Sequence, residues 1–417
     1  MQESSKLKIL FVLEIDIRNG GGLERVIYHY MKMFPQEGFE SYLLMTDLMD
    51  DERLPASALD EFGDRVMRVR GHRPHGLAAR LRKGPYLTAL IDYIILHYYG
   101  FRYRGEILRA LEGREFDVIY FGGLAMSFYF SRHRDGAILI GSDQNNLPRP
   151  RGIMDRLRYL MLWHDLSRFD AIHMLSNKVR GETYAGVRTF LVPNGVRSDL
   201  FHPDFEGHGD DRIVKFYFGA RLFPCKGLRL LLEAWRIALE RGLSNAELHV
   251  FGSGPDSTLL KEMKLPGVVY HGYLPHSELA PLVRRMDFLV YPTSCDGFSL
   301  VVAEALASGC HAIVSDFLRG VWDEEEKLGF LEYAPRDPAI LAGRIIDAAR
   351  NLNRYRDPAL KRKQYEHMRD NYDWNRVVPR LANEIRKVVE ARAVGSQRRA
   401  RIPHLAHLAR TWPHIKS

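Results

Sequence analysis

The chain holds 417 residues, 46 % of them hydrophobic and 27 % charged, with a net charge of +8. That length exceeds what one hydrophobic core serves, so two or three domains are expected; internal repeats and low-complexity tracts are absent from the sequence. No apolar run reaches the roughly eighteen residues a membrane span needs, and no signal peptide opens the chain, so the protein is expected to be cytoplasmic.

Taken from the amino terminus, KILFVLEI, ESYLLMTD, RVMRV, DVIYFGG, AILIG, AIHML and FLVP are expected as strands before residue 194. KFYFGA, ELHVFG, VVYHG, DFLVYP, HAIVSD and GFLEYA follow, with helical stretches between most of them. Strand and helix in alternation give parallel, doubly wound α/β sheets, and the linker from Asn194 to Pro203 divides them into two. After the first strand comes GGGLER, which is not the GxGxxG dinucleotide fingerprint and argues against a dehydrogenase. AILIGSD ends on Asp143, a candidate for touching an acceptor, although an Asx turn with Gln144 to Asn146 explains it equally well. His133 reads as a surface residue.

Four segments of the second half carry the chemistry. KFYFGARLFPCKGLRLLLEAW, residues 215–235, runs from a strand through a loop into an amphipathic helix, and the loop holds Arg221 and Lys226. Two fixed cations beside a helix start make a diphosphate clamp, worth roughly 1.5–3 kcal/mol per charge-assisted hydrogen bond. HVFGSGPD (249–256) and VVYHGYLPHSEL (268–279) are each a strand ending in a glycine turn. Gly252 and Gly254 would let the backbone approach a ligand, and the turn from Tyr273 to Pro275 would hold a flat base. YPTSCDGFSLVVAEALASG, residues 291–309, puts Asp296 on a loop and Glu304 about one turn into a helix that resumes at Leu300. Carboxylates accept the hydroxyls of sugar and ribose diols. The backbone N–H groups of Ser299, Leu300 and Val301 stand at the helix's positive end, where a phosphate is stabilised. Cys225 and Cys295 adjoin these residues. With Cys310 they show no disulfide or zinc pattern, so packing is their expected role and a reducing compartment their implication.

The order GARLFPCKG, GSGP, HGYLPHSEL and then the Asp296–Glu304 segment resembles the donor half of the GT-B glycosyltransferases of family 4. The opening run from Lys8 to Asp47, NGV at 194–196 and YDWNRVV at 372–378 are similar to that family's first βαβ unit, its domain junction and the segment leading its last helix back across the cleft. The resemblance implies two Rossmann-like domains facing a cleft. Residues 1–194 would bind the acceptor, completed by a helix at about 374–392; residues 195–373 would bind the donor; residues 393–417 form a basic tail. It implies that Arg221 and Lys226 bind the donor diphosphate, that Glu304 holds the ribose hydroxyls and that Asp296, where the family usually has Glu, faces the donor sugar. Arg221, Lys226 and Asp296 are thereby the catalytic candidates. Gly21 and Gly22 match the glycine loop that closes over the diphosphate, Leu274 the base contact, and Gly252, Ser299, Leu300 and Val301 the remaining donor contacts. Ser299 stands where Pro is common. Gly122 stands where several members carry a His. The implied reaction is retaining transfer from a nucleoside diphosphate sugar, UDP ahead of GDP, with the departing diphosphate taking the acceptor's proton and with no metal or other cofactor.

Charge adds a partner. Residues 72–110 interleave Arg73, Arg80, Arg82, Lys83, Arg102 and Arg104 with Leu, Ile and Tyr, and the tail GSQRRARIPHLAHLARTWPHIKS has five Lys or Arg and no acid. Both suit an anionic bilayer, at up to about 1 kcal/mol per cation, and a lipid-linked or glycan acceptor at the inner membrane face. The basic stretches hold no nucleic-acid motif. Two other readings share the same residues: a GT-B-type sugar-nucleotide epimerase or phosphorylase, and a non-catalytic scaffold that binds sugar nucleotides. Oligomeric state has no signature in the sequence.

Overall fold

The computed structural model describes residues 6–13, 22–47, 56–70, 105–122, 136–143, 168–176, 183–184, 186–205 and 213–395. Gly21, His133, the proposed Asx turn beyond Asp143, the basic and apolar stretch from 72 to 104 and the tail after Gly395 lie outside them.

Strands β1 (Leu7–Leu13), β2 (Phe39–Asp47), β3 (Val66–Arg70), β4 (Val118–Phe121), β5 (Ile138–Asp143), β6 (Ala171–Met174), β7 (Thr183–Tyr184) and β8 (Val187–Leu191) form one sheet. Their order is β3-β2-β1-β4-β5-β6-β8-β7. Every pairing is parallel except that of β7 with β8. All the strands read from sequence are present; β7 is additional, and two residues are too few to leave a pattern of period 2. Within β1, Ile9, Phe11 and Leu13 enter one core while Leu10 and Val12 enter the other, as the alternation of a strand covered on both faces requires. Helix α1 (Gly22–Met33) packs on the first of these faces through Val26, Ile27 and Tyr30.

The second sheet is wholly parallel. It is built from β9 (Val214–Gly219), β10 (Ala246–Phe251), β11 (Val268–Gly272), β12 (Phe288–Tyr291), β13 (His311–Ser315) and β14 (Leu331–Ala334), in the order β11-β10-β9-β12-β13-β14. After β9, β10, β11, β12 and β14 come helices α2 (Leu228–Glu240), α3 (Ser257–Met263), α4 (His276–Val283), α5 (Leu300–Ala307) and α6 (Pro338–Arg350), with short helical turns at Asp323–Lys327 and Leu352–Tyr355, and then α7 (Pro358–Tyr372) and α8 (Trp374–Gly395). In each sheet the strand order turns round once, between β1 and β4 and between β9 and β12. A crevice opens there at the strands' carboxyl ends, which is where open α/β sheets bind ligands.

Helix α8 follows the second sheet in sequence but joins the first sheet's core, burying Trp374, Val377, Leu381, Ile385 and Val388 against α1 and β1. The recurrence at three and four residues is the stripe of an amphipathic helix. Two chain crossings between the domains run side by side: Val196 N donates to Tyr372 O (2.7 Å) and Trp374 N to Val196 O (3.3 Å). Trp374 lies on Gly195, where a Cβ would fall 2.3 Å from the indole ring. Gly195→Ala must therefore unseat Trp374, and urea unfolding is expected to show a loss on the order of 2–4 kcal/mol. A midpoint equal to that of the wild type would mean that the crossing is not clamped.

Candidate active site

Two loops at the second sheet's switch point build the site. The loop after β9 passes Arg221, makes one 3-10 turn over Pro224–Lys226 and turns at Gly227 (φ 91°) into α2. A Cβ on Gly227 would lie 2.3 Å from Pro292 O, so this glycine lets the loop rest directly on the end of β12. Gly252 and Gly254 are close-packed in the same way. Their missing side chains admit protein backbone, since a Cβ would fall 1.8 Å from Ala220 O at Gly252 and 2.6 Å from Leu222 O at Gly254. Gly252 still lines the cavity.

The loop after β12 ends in Ser299, buried and left-handed at φ 66°. Only Lys264 shares that conformation among the described non-glycine residues. Such a residue is strained. Here it turns the chain abruptly into α5, whose first N–H groups lack partners within the helix. Across the cleft, the Cβ position of Gly22 lies 3.8 Å from Leu300 Cδ1. The amino-terminal ends of α1 and α5 thus meet, and their dipoles add positive potential at one place.

A cavity of about 540 Å³ occupies that place, lined by Gly22, Arg221, Lys226, Gly252, Leu274, Asp296, Ser299, Leu300, Val301 and Glu304. Apart from Gly21, which is not described, and Gly254 and Pro275, which are not in the lining, the donor-side residues singled out in the sequence are brought to this one crevice. Asp143 is not: it is 2 % exposed at the end of β5 and takes no part in the lining. At Gly122 a Cβ would come within 2.8 Å of Leu13 Cδ2 and 3.2 Å of Leu23 Cδ1, so a larger side chain would have to displace both leucines.

Inside the cavity Lys226, Asp296 and Glu304 already have partners. Lys226 Nζ donates to Asp296 Oδ2 at 2.9 Å and to Cys295 O at 3.1 Å. Asp296 Oδ2 also accepts from Tyr291 OH at 2.7 Å. Tyr291 is buried, and burial followed by the adjacent Asp296 charge pushes its phenol well above the usual range, so it stays a donor. Glu304 Oε1 lies 3.2 Å from His276 Nε2 and 3.9 Å from Arg25 Nη1, and Arg25 Nη1 also contacts the same imidazole nitrogen. One ring nitrogen serves one partner at a time: protonated, Nε2 donates to Glu304; unprotonated, it accepts from Arg25. Burial alone would raise the Glu304 carboxyl, but the charge and hydrogen bond of His276 and then the charge of Arg25 outweigh it and hold the group below its ordinary range.

Arg25, His276 and Tyr291 escaped the sequence reading. Arg25 lies one turn into α1, in GGGLER, so the helical period together with the glycine loop was the available signal. His276 opens α4 and Tyr291 closes β12, positions that become meaningful only once the sheet order is known.

The cysteine expectation is overturned. Cys225 and Cys295, 70 positions apart, form a disulfide with a Cα separation of 5.6 Å. They meet because β9 and β12 are neighbours and because Ser294 N donates to Cys225 O at 2.8 Å, neither of which cysteine spacing records. The reducing compartment inferred from unpaired cysteines loses its basis. Cys310 is free and buried, its thiol pushed up to about 12 by that burial.

Residues 214–351 match the family model of the group 1 glycosyl transferases. Among curated proteins, the chain is 30 % identical over 182 residues to an MMP alpha-(1->4)-mannosyltransferase of Mycolicibacterium hassiacum, covering 41 % of this chain and 43 % of that one. It is 32 % identical over 133 residues to a GDP-mannose-dependent alpha-mannosyltransferase of Corynebacterium glutamicum, covering 30 % of each. The chain therefore spans less than half the length of these relatives. The solved structure of Anabaena Alr3699/HepE in complex with UDP and glucose is similar at a TM-score of 0.62 and 15 % identity, over 91 % of this chain and 100 % of that one. This likeness shows the fold, two parallel-sheet α/β domains of the GT-B type.

The depressed Glu304 carboxyl gives a pH prediction. A group whose folded value is lowered contributes stability above its unfolded value, near 4.5, and that contribution is lost as pH falls through the folded value. Arg25→Ala removes one of the two cationic partners. The wild type is expected to lose stability more steeply than Arg25→Ala below about pH 4.5, as read from urea midpoints at stepped pH. Parallel curves would mean that Arg25 does not act on Glu304.

Proposed function

We propose that this protein is a glycosyltransferase that moves a sugar from a nucleoside diphosphate sugar to a glycan or lipid-linked acceptor with retention of anomeric configuration. One observation carries the reading. A cation–carboxylate pair, a further arginine and two helix amino termini share a single cavity at the sheets' switch points. The match of residues 214–351 to the glycosyl transferase family supports it.

A sugar nucleotide satisfies both halves of the Lys226–Asp296 pair together. Its diphosphate replaces Asp296 at Lys226, and its sugar hydroxyls replace Lys226 at Asp296. Glu304 would take the ribose hydroxyls, with Arg25 and His276 holding its carboxylate charged and in position. As the anomeric bond breaks, negative charge grows on the leaving diphosphate, faced by Arg221, Lys226 and the first N–H groups of α5. The acceptor's hydroxyl proton passes to a diphosphate oxygen on the same face of the sugar, so no protein nucleophile is needed. These groups perform the charge stabilisation that a divalent ion would otherwise supply. Transfer is accordingly expected to survive EDTA.

For the base, the GDP-mannose dependence of the 32 % identical relative supports GDP, whereas the UDP complex, at 15 % identity, speaks for fold alone. A GDP sugar is placed first and a UDP sugar second. Among the described residues no helix is long and apolar enough to cross a membrane. The basic tail is assigned to an anionic leaflet, which would present a lipid-linked acceptor.

Lys226→Ala and Glu304→Gln are each expected to keep the wild-type circular dichroism spectrum and to lower transfer at least about tenfold, the loss of one charge-assisted contact. Near-normal rates in both would remove the donor assignment. In calorimetry a sugar nucleotide should bind more tightly than its nucleoside diphosphate, because the diphosphate alone leaves Asp296 without a partner to replace Lys226; the reverse order would sink the exchange. Liposomes containing anionic lipid should float the full chain at low salt and lose most of it after removal of residues 396–417. Equal flotation would take the tail out of membrane binding.

A further inference from the structure

The Cys225–Cys295 disulfide has no part in the proposed transfer, yet each cysteine directly precedes a member of the central ion pair, Lys226 and Asp296. Both sulfurs belong to residues that line the cavity and are only half-buried, so a small thiol reagent can approach them from the cleft. We propose that this pair is a thiol–disulfide exchange site, reactive toward small dithiols and disulfides, whose oxidation state sets how firmly the two donor loops are held against each other. The consequence for ligand binding rests on the donor reading above.

The chemistry is complete without further reagents. One sulfur of a dithiol attacks as the thiolate, forms a mixed disulfide with either cysteine and expels the other as a thiolate. The reductant's second thiol then displaces the remaining cysteine and closes the reductant's own disulfide. Two electrons and two protons pass to the protein, and the reductant leaves oxidised; a small-molecule disulfide drives the reverse.

Loss of the cross-link reaches Lys226 by two routes. Its ammonium is anchored by Asp296 and by the carbonyl of Cys295 itself, so movement of the Cys295 loop disturbs both anchors. After reduction the loops remain joined by the hydrogen bonds from Ser294 N (2.8 Å) and Ser294 Oγ (3.1 Å) to Cys225 O. These confine the loops less than a covalent bond closing a 70-residue separation. The reduced form is therefore looser at the ion pair and not unfolded.

The test begins with thiol counting on the full chain. Denatured without reductant after treatment with a small disulfide, the protein is expected to label at Cys310 alone; after dithiothreitol it labels at all three cysteines, and peptide mapping of the oxidised form recovers the Cys225–Cys295 cross-link. Calorimetry with GDP- and UDP-sugars is expected to give an affinity about three- to tenfold weaker for the reduced protein. The Cys225→Ser/Cys295→Ser double variant should match reduced wild type and ignore the redox state. Three labelled thiols after oxidation, or equal affinity in the two states, would overturn the proposal. If neither nucleotide binds in either state, the donor reading fails separately. The cross-link is then judged by acylation of Lys226: a threefold or greater rise on reduction supports it, and an unchanged rate overturns it.

Discussion

The Lys226–Asp296 contact governs how this cleft can receive a ligand. Both partners are about one-fifth exposed, 17 % and 21 % for their side chains, so each has already shed much of its water. In such a setting the attraction between the charges is largely offset by the desolvation of both, while removal of one partner leaves the other uncompensated. A ligand that offers only an anion breaks the pair and leaves the carboxylate with Tyr291 OH alone; one that offers only hydroxyls leaves the ammonium with the Cys295 carbonyl alone. A molecule with a diphosphate next to a ring of hydroxyls replaces both lost contacts together. Under the transfer proposed above, the pair would favour a molecule that carries both groups over one that carries either alone.

A second constraint ties this pocket to the opposite domain. Glu304 belongs to the second sheet's helix α5, but one of its two partners, Arg25, comes from α1 of the first. The amino termini of the same two helices approach across the cleft at Gly22 and Leu300. Their positive ends would repel if nothing anionic lay between them, and Glu304 supplies part of that charge in the absence of ligand. Under the proposed function, a bound diphosphate would supply more. Trp374 over Gly195 and the bridge between Val196 and Asp373 fix where the chain crosses between the domains.

Much of this architecture was legible because parallel strands buried on both faces read as continuous apolar runs, and each ends in a loop where its polar residues stand out. Asp296 and Glu304 could be placed on loop and helix from Gly297 and the resumption of helix formers at Leu300. Other features depend on neighbours distant in sequence. At Gly252 and Gly254 the close neighbours are the backbone of Ala220 and Leu222, since β9 lies beside β10, a contact no local pattern records. The cysteine pair is a consequence of β9 lying beside β12. Arg25 and His276 meet at Glu304 only because two domains face each other, a relation that no local pattern encodes.

The position of Ser299 shows why the site demands strain. A left-handed residue that is not glycine costs on the order of 1 kcal/mol or more, and Ser299 is buried, so no water relieves it. Glycine would remove that cost at the price of a more flexible turn. Beside it, Phe298 packs on Trp322, whose indole Nε1 donates to Phe298 O at 3.0 Å. That packing holds the entry to α5 rigid. A rigid entry keeps the first N–H groups of α5 aimed into the cavity before a ligand arrives, and preorganisation of this kind is what lets backbone dipoles stabilise charge that develops only during reaction. The strain at Ser299 and the fixed entry to α5 are therefore one feature, with the cost carried by the fold and the benefit, under the proposed reaction, falling on the leaving diphosphate.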